Sequence, residues 1–222
     1  MGAQHSAVPE LVDGSPELWD DGFGEVARRL LTAGVRCFAA NGFHATKTRD
    51  ITTAAGLSSA ALYVHFSSKE EVLFEITRAA HRSVLTVVRE IDPAGDPTAY
   101  LKALVAKFVA WHARHHVAGR VGQYELSGLT AEHYEAIVAL RQRTTVVFHE
   151  AIRWGTREGV FGVVDDHRVV RAILSLCVDL VRWYRLDGPD SPDTIGRFYA
   201  ELALGMVTAA SQAETETGAL PE

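Results

Sequence analysis

Cysteine is nearly absent. The 222 residues contain two, Cys37 and Cys177, neither in a CxxC and both inside apolar helical patterns, which points to buried free thiols in a reducing compartment rather than to a disulfide. Long hydrophobic runs are missing as well. Nothing approaches the ~20 apolar residues of a membrane span, so no membrane partner is expected. Residues 1–15 lack the basic start and apolar core of a secretion signal and read as the opening of a tail. Strand signals are scarce, because Val146-Val147 and Val163-Val164 are too short or too embedded in helical pattern to argue for a sheet. Enzyme motifs are equally thin. Neither GxxxxGK nor GxSxG occurs, no Glu-x-x-His pair supports a di-iron bundle, and Gly22-x-Gly24-x-x-Ala27 has no strand before it. His112 and His116 stand four apart like metal ligands, yet two imidazoles without a carboxylate at i±3 do not complete a site. No catalytic residue, metal or cofactor is therefore expected.

The composition is that of a folded chain, with 47% hydrophobic residues and a formal net charge of −6. The charge is unevenly spread. Residues 20–69 hold six basic and four acidic side chains, a net of +2, against −8 for the remainder. A near-neutral to basic head on an acidic body permits DNA binding without requiring it.

Helix starts recur instead of strands. Asp96-Pro97 and Ser191-Pro192 each place an acceptor at a cap and proline at the first helical position. Thr130 opens another helix, and Ser68-Lys69-Glu70-Glu71 fits a capping box. These signals predict an all-α fold of about nine helices, at 20–41, 47–55, 59–65, 68–91, 97–117, 119–127, 130–158, 165–187 and 191–212. The organisation expected is a flexible tail (1–19), a three-helix head (20–67), a helical body (68–213, with 68–91 as connector) and a frayed end (214–222).

The head carries the sharpest signal. Val26, Leu30, Ala33, Cys37 and Phe38 line one face of the first helix, which Asn41-Gly42 ends. Thr46 is the expected cap of the second helix, with Ile51 and Ala54 inward. Gly56 makes a turn and Ser58 caps a third helix, whose buried positions are Leu62 and Phe66. Two helices this short are unstable alone. Bent around a glycine they form a helix-turn-helix, which holds the second helix clear so that it can enter a major groove about 12 Å wide.

The run 38–76, FAANGFHATKTRDITTAAGLSSAALYVHFSSKEEVLFEI, resembles the DNA-binding domain of the TetR/AcrR transcriptional regulators. The resemblance implies a cytoplasmic homodimer that binds a palindromic operator on double-stranded DNA and answers to a small effector held in the body. It implies phosphate contacts from Thr46, Lys47, Thr48 and Arg49 at the second helix, from Tyr63 and from Lys69, with Ser58, Ser59, Ala60, Ala61 and His65 on the reading helix. Tyr63 could instead pack on the head, and His65 could be a buried imidazole. Ser59 and Ala61 are smaller than the family's usual residues there. That reduces reading by long side chains and favours thymine-methyl contact by Ala60 or Ala61, or recognition of DNA shape.

In the body, Phe108, Trp111, His112, Tyr124, Phe148 and Trp154 form a ring-rich set flanked by Arg143 and Arg153. They are either a packed core with a solvated basic edge or an apolar pocket with cations at its mouth. A pocket of that kind suits an apolar or amphipathic acid, or an acyl-coenzyme A. The stretch around WGTREGVF and VRWYRLDGPDSPDTIGRFYAELAL is similar to TetR/AcrR regulators of lipid and steroid catabolism. Ile173, Leu176, Leu180, Tyr184, Phe198, Leu202 and Met206 mark the last two helices as the dimer face that the resemblance implies. The outcome is a ligand-released repressor. The rival is a helical enzyme or lipid-binding protein with an apolar pocket and no DNA role.

Overall fold

The computed structural model describes residues 15–19, 22–93 and 95–216, with side chains between 16 and 208. Among them are nine α-helices and no strand: α1 (Glu25–Asn41), α2 (Thr48–Ala54), α3 (Ala61–His65), α4 (Lys69–Arg89), α5 (Pro97–Arg114), α6 (His116–Tyr124), α7 (Ala131–Arg157), α8 (Asp166–Asp179) and α9 (Pro192–Glu216). The caps sit where acceptor side chains precede apolar runs. Asp96 accepts from the Thr98 N–H at 2.9 Å, Ser191 Oγ from Thr194 at 3.2 Å and Thr130 Oγ1 from His133 at 3.3 Å. Ser68 Oγ accepts from Glu71 N–H at 3.1 Å while the Glu71 carboxylate reaches back to Ser67 N–H, one residue before the cap, a capping box shifted by one residue at its return bond.

Two units emerge, and they do not follow the linear division at 67/68. One comprises the described residues up to Ala80 together with Val117–Ile137; the other comprises His81–His116 and Val138 onward. The boundaries therefore fall inside α4 and α7, and α6 belongs with the head.

In the first unit Leu30, Leu31, Val35 and Phe38 are buried on α1. Gly42, at φ 76°, ends that helix by donating to Phe38 O at 2.8 Å. Leu62 and Phe66 fasten α3 to this core. The expected tail is partly structured. Ser15–Leu18 form a 3-10 turn, Leu18 and Trp19 are buried, and Trp19 Nε1 donates to Thr32 Oγ1 at 2.8 Å. The indole is large enough to fold the chain back although its segment has no helical period. Residues 1–14 and 217–222 of the expected tail and frayed end lie outside the described residues, while α9 extends to Glu216, beyond the expected 212.

In the second unit α9 packs along α5. The approach is close at Gly196, where a Cβ would stand 2.5 Å from the Ala106 carbonyl oxygen. The helix expected over 165–187 stops at Asp179 and gives way to a 3-10 turn, Leu180–Arg182. Leu180, Val181 and Tyr184 are all buried, and the Tyr184 hydroxyl donates to Asp190 O at 2.7 Å. Cys37 and Cys177 are buried free thiols. Burial, and for Cys37 also the nearby Asp50 carboxylate, pushes them up to about 11 and about 12 respectively.

Two stability outcomes follow from this packing. Gly196→Ala sets a methyl against backbone that cannot rotate away, so chemical denaturation should show a loss of about 1–3 kcal/mol. His112 is buried; desolvation, with the nearby His115 and Arg141, outweighs its bond to Phe108 O and pushes the imidazole down to about 4 from 6.5. A folded value below the unfolded one means that stability is full above pH 6.5 and falls as pH drops toward 4, by roughly 3 kcal/mol over the window. Denaturation of wild type against His112→Gln from pH 7 to pH 5 should show that slope only in wild type.

Candidate functional site

The turn between α2 and α3 is built from backbone. Gly56 adopts φ 65°, which favours glycine. Leu57 N–H donates to Thr52 O at 2.8 Å, and the Arg29 guanidinium, reaching over from α1, donates to Ala55 O at 2.6 Å. Arg29 is thus a brace for the turn. Nothing in its spacing announced this, because the contact spans 26 residues.

Behind α2, the expected DNA contacts divide. Thr46 is buried, and its hydroxyl serves Gly42 O at 2.7 Å and Cys37 O at 3.2 Å. It is neither cap nor phosphate ligand. Lys47 is the N-cap position, and Asp50 closes the turn by accepting the Lys47 N–H at 2.8 Å. Lys69 is tied inward, its ammonium donating to Phe43 O and Thr46 O, each at 2.7 Å, over the Phe43 ring. Two of its three N–H groups are therefore engaged within the chain.

The remaining candidates share an outward face. Lys47, Arg49, Ser58, Ser59, Ala60, Tyr63 and His65 are exposed, with Thr48 and Ala61 half-buried. Tyr63 is 60% exposed rather than packed on the head, and His65 is not buried. Val64, absent from the candidate set, is 77% exposed. Its position four residues after Ala60 and two after the buried Leu62 was the available signal.

In the second unit the ring-rich set is mostly core. Phe108 meets Phe148 edge-on at 5.3 Å and His112 at 4.3 Å; all three are buried. Tyr124 belongs to the first unit and is half-exposed, and Arg143 is exposed. Trp154 is half-buried beside Tyr100. Arg153 pairs with Asp166, which also accepts from His149 Nδ1 at 3.0 Å. Desolvation pushes the Asp166 carboxyl up, but the bonds from His149 and Arg153 outweigh it and hold it below the usual range. Arg153 and Asp166 border a cavity of about 340 Å³ that also touches Arg157, Val163 and Val164. A second cavity, of about 330 Å³, opens where α4 ends, α5 passes and α9 begins. Trp111, Val87, Ile91 and Ala110 supply its apolar wall, Lys107 and Arg114 its cations, and Glu90 and Asp193 its acids. Trp111 Nε1 donates to Ser83 Oγ at 2.9 Å, which fixes the ring. Of the expected pocket residues only Trp111 reaches this space.

The expected dimer face splits in the same way. Ile173, Leu180 and Tyr184 are buried within their own chain, and Leu176 is half-buried. They look inward because α8 lies against α5 and the chain turns in after Asp179. Phe198, Leu202 and Met206 stay exposed, four residues apart along one stripe of α9. Among the described residues, no group of three or more His, Cys, Asp or Glu could hold a metal ion, and no helix is long and apolar enough to cross a membrane.

Comparison with known proteins matches the two ends of the chain to two family models. Residues 30–76 match the family described as bacterial regulatory proteins, tetR family, and residues 94–207 match the tetracyclin repressor-like C-terminal domain. The HTH-type transcriptional repressor KstR2 of Rhodococcus jostii (strain RHA1) is 32% identical over 195 residues, covering 86% of this chain and 96% of the relative. Among solved structures, a tetR-family regulatory protein from Rhodococcus RHA1 superposes with TM-score 0.79 at 36% identity, covering 84% of this chain and 98% of the other. The ketosteroid transcriptional regulator KstR2 of Mycobacterium tuberculosis superposes with TM-score 0.77 at 28% identity, covering 84% and 96%. The chain belongs to the TetR family of bacterial transcriptional regulators.

Proposed function

We propose that this regulator is a homodimeric repressor that occupies a palindromic operator and leaves it when a small amphipathic molecule binds the second unit. The observation that carries the DNA reading is the outward face from Ser58 to His65, which stands over a helix anchored by Leu62 and is flanked by exposed Lys47 and Arg49. Solvated cations beside a slim helix suit phosphates beside a groove. The repressor reading is supported by the names of the relatives that align over most of both chains.

Dimerisation is supported by Phe198, Leu202 and Met206. A water-exposed apolar stripe on a long helix is the kind of self-matching patch that a two-fold pair covers. Such a pair repeats α3 at one DNA turn, ~34–36 Å, or a multiple of it.

For the effector, the cavity at Trp111 joins an apolar wall to Lys107 and Arg114. That combination suits an amphipathic anion, with ring or chain on the indole and carboxylate on the cations. The ketosteroid regulator among the solved relatives favours a polycyclic, lipid-derived acid. The role is sensing rather than turnover, performed in the cytoplasm where operator DNA lies. A ligand that prefers one arrangement of the dimer shifts the population away from the DNA-competent one.

Two measurements test this. Lys47 and Arg49 from two protomers make four phosphate-neutralising cations, so affinity for a selected duplex should fall roughly a hundredfold between 50 and 200 mM salt. Salt-independent binding, or none, would sink the DNA role. Among steroid-derived acids, the one that raises the melting temperature most should release the duplex. Lys107→Ala with Arg114→Ala should weaken that release about tenfold or more at unchanged DNA affinity; formation of a new product from the acid would return the chain to the enzyme class.

A further inference from the structure

We infer that Val64 reads the 5-methyl group of a thymine in each operator half-site, so that this chain recognises its operator chiefly by methyl contact rather than by hydrogen bonds to base edges. The inference rests on the DNA reading above and adds what that face looks for.

The side chains from Ser58 to His65 that reach solvent are Ser58, Ser59, Ala60, Tyr63, Val64 and His65, with Ala61 half-exposed. None is an arginine, lysine, asparagine or glutamine, the residues that grip guanine or adenine with two parallel hydrogen bonds. The hydrogen-bonding groups present are hydroxyls and one imidazole, each able to make a single bond that several bases can satisfy.

Against that background Val64 stands out. At 77% exposure it is an aliphatic side chain held almost wholly in water. A β-branched residue is also a poorer helix former than alanine, which precedes it at positions 60 and 61. Among the described residues no burial repays its presence. The segment's anchoring falls to Leu62 and Phe66, both buried. Ala60 and Ala61 lie four and three residues before Val64 and share its side of the helix. The result is a small apolar patch with one protruding knob, bordered by the Tyr63 hydroxyl on one flank and His65 on the other. Lys47 and Arg49 at the start of α2 supply positive charge beside it.

One surface has that complementary shape. In the major groove thymine alone among the four bases projects a methyl, and phosphates line both rims. The two alanines let the helix approach closely enough for the valine methyls to meet it. Flanking cations and a tyrosine hydroxyl are groups that the phosphates along both rims of a groove can engage.

The test needs no knowledge of the natural operator. A duplex is selected from a random pool with the full chain, and each of its thymines is replaced in turn by deoxyuridine, symmetrically in both half-sites. This deletes the methyl and leaves every hydrogen-bonding group in place. At one thymine the replacement should weaken wild type about fourfold per half-site, or roughly fifteenfold for the symmetric pair, the value of one buried methyl in each. Val64→Ala should bind the thymine and deoxyuridine duplexes equally. Because the scan on wild type involves no variant, a folding defect in V64A cannot mask it. Affinities within twofold at every replaced thymine would overturn the inference while leaving the DNA role intact. So would an equal loss in V64A and wild type. Failure of wild type to enrich any duplex would overturn the inference and the DNA role together.

Discussion

The direction in which α2 and α3 point depends on how one aromatic residue between α1 and α2 is held. Phe43 is buried, and its backbone is claimed from two sides. Its N–H donates to Glu125 Oε2 at 2.8 Å, and its carbonyl accepts from Lys69 Nζ at 2.7 Å. Its ring lies against Gly128, where a Cβ would clash at 2.4 Å, and tilts against Phe38 at 5.6 Å. Backbone polar groups beside a buried ring have no water to turn to, so each bond is costly to lose. Thr46 finishes the loop by returning its hydroxyl to the end of α1. The outward face of the helix-turn-helix is a consequence of these inward ties.

That arrangement explains which parts of the fold were legible in the sequence. Four caps were, because a cap is a local event: Asp96, Ser191, Thr130 and the pair Ser68–Glu71 bond groups at most four residues away, whereas the expected Ser58 cap is absent, α3 starting after Ala60 with no side-chain cap bond. The glycine turn was legible for the same reason. Thr46 departs from the cap pattern because its partners are the carbonyls of the preceding helix end, not the N–H groups of the helix that follows. Lys69 was assigned to DNA by resemblance, yet 26 and 23 residues separate it from the carbonyls it binds. Arg29 acts over 26 residues and Trp19 over 13, and periodicity cannot see either.

The body teaches a related lesson about apolar stripes. A period of three and four says that a face is covered but not what covers it. Ile173, Leu180 and Tyr184 carry the same pattern as Phe198, Leu202 and Met206. The first set is consumed by its own chain, and the second is left in water. The difference comes from α5, which lies against both α8 and α9, and from the 3-10 turn after Asp179 that swings Tyr184 inward. The aromatic residues sorted likewise: Phe108 and Phe148 fill space, while Trp111 borders it.

The interleaving of the two units bears on how such a chain can be recombined. Exchanging residues 1–67 for those of a relative, in order to redirect the protein to another promoter, would carry over the loop that holds Phe43 but leave behind the carboxylate of Glu125 and the notch at Gly128. It would also leave behind Arg120, whose guanidinium donates to Ala39 O at 2.9 Å. A transplant that respects the physics moves two pieces of chain, up to Ala80 and from Val117 to Ile137. The portable cassette here is discontinuous, so its swaps have to be cut at three seams instead of one.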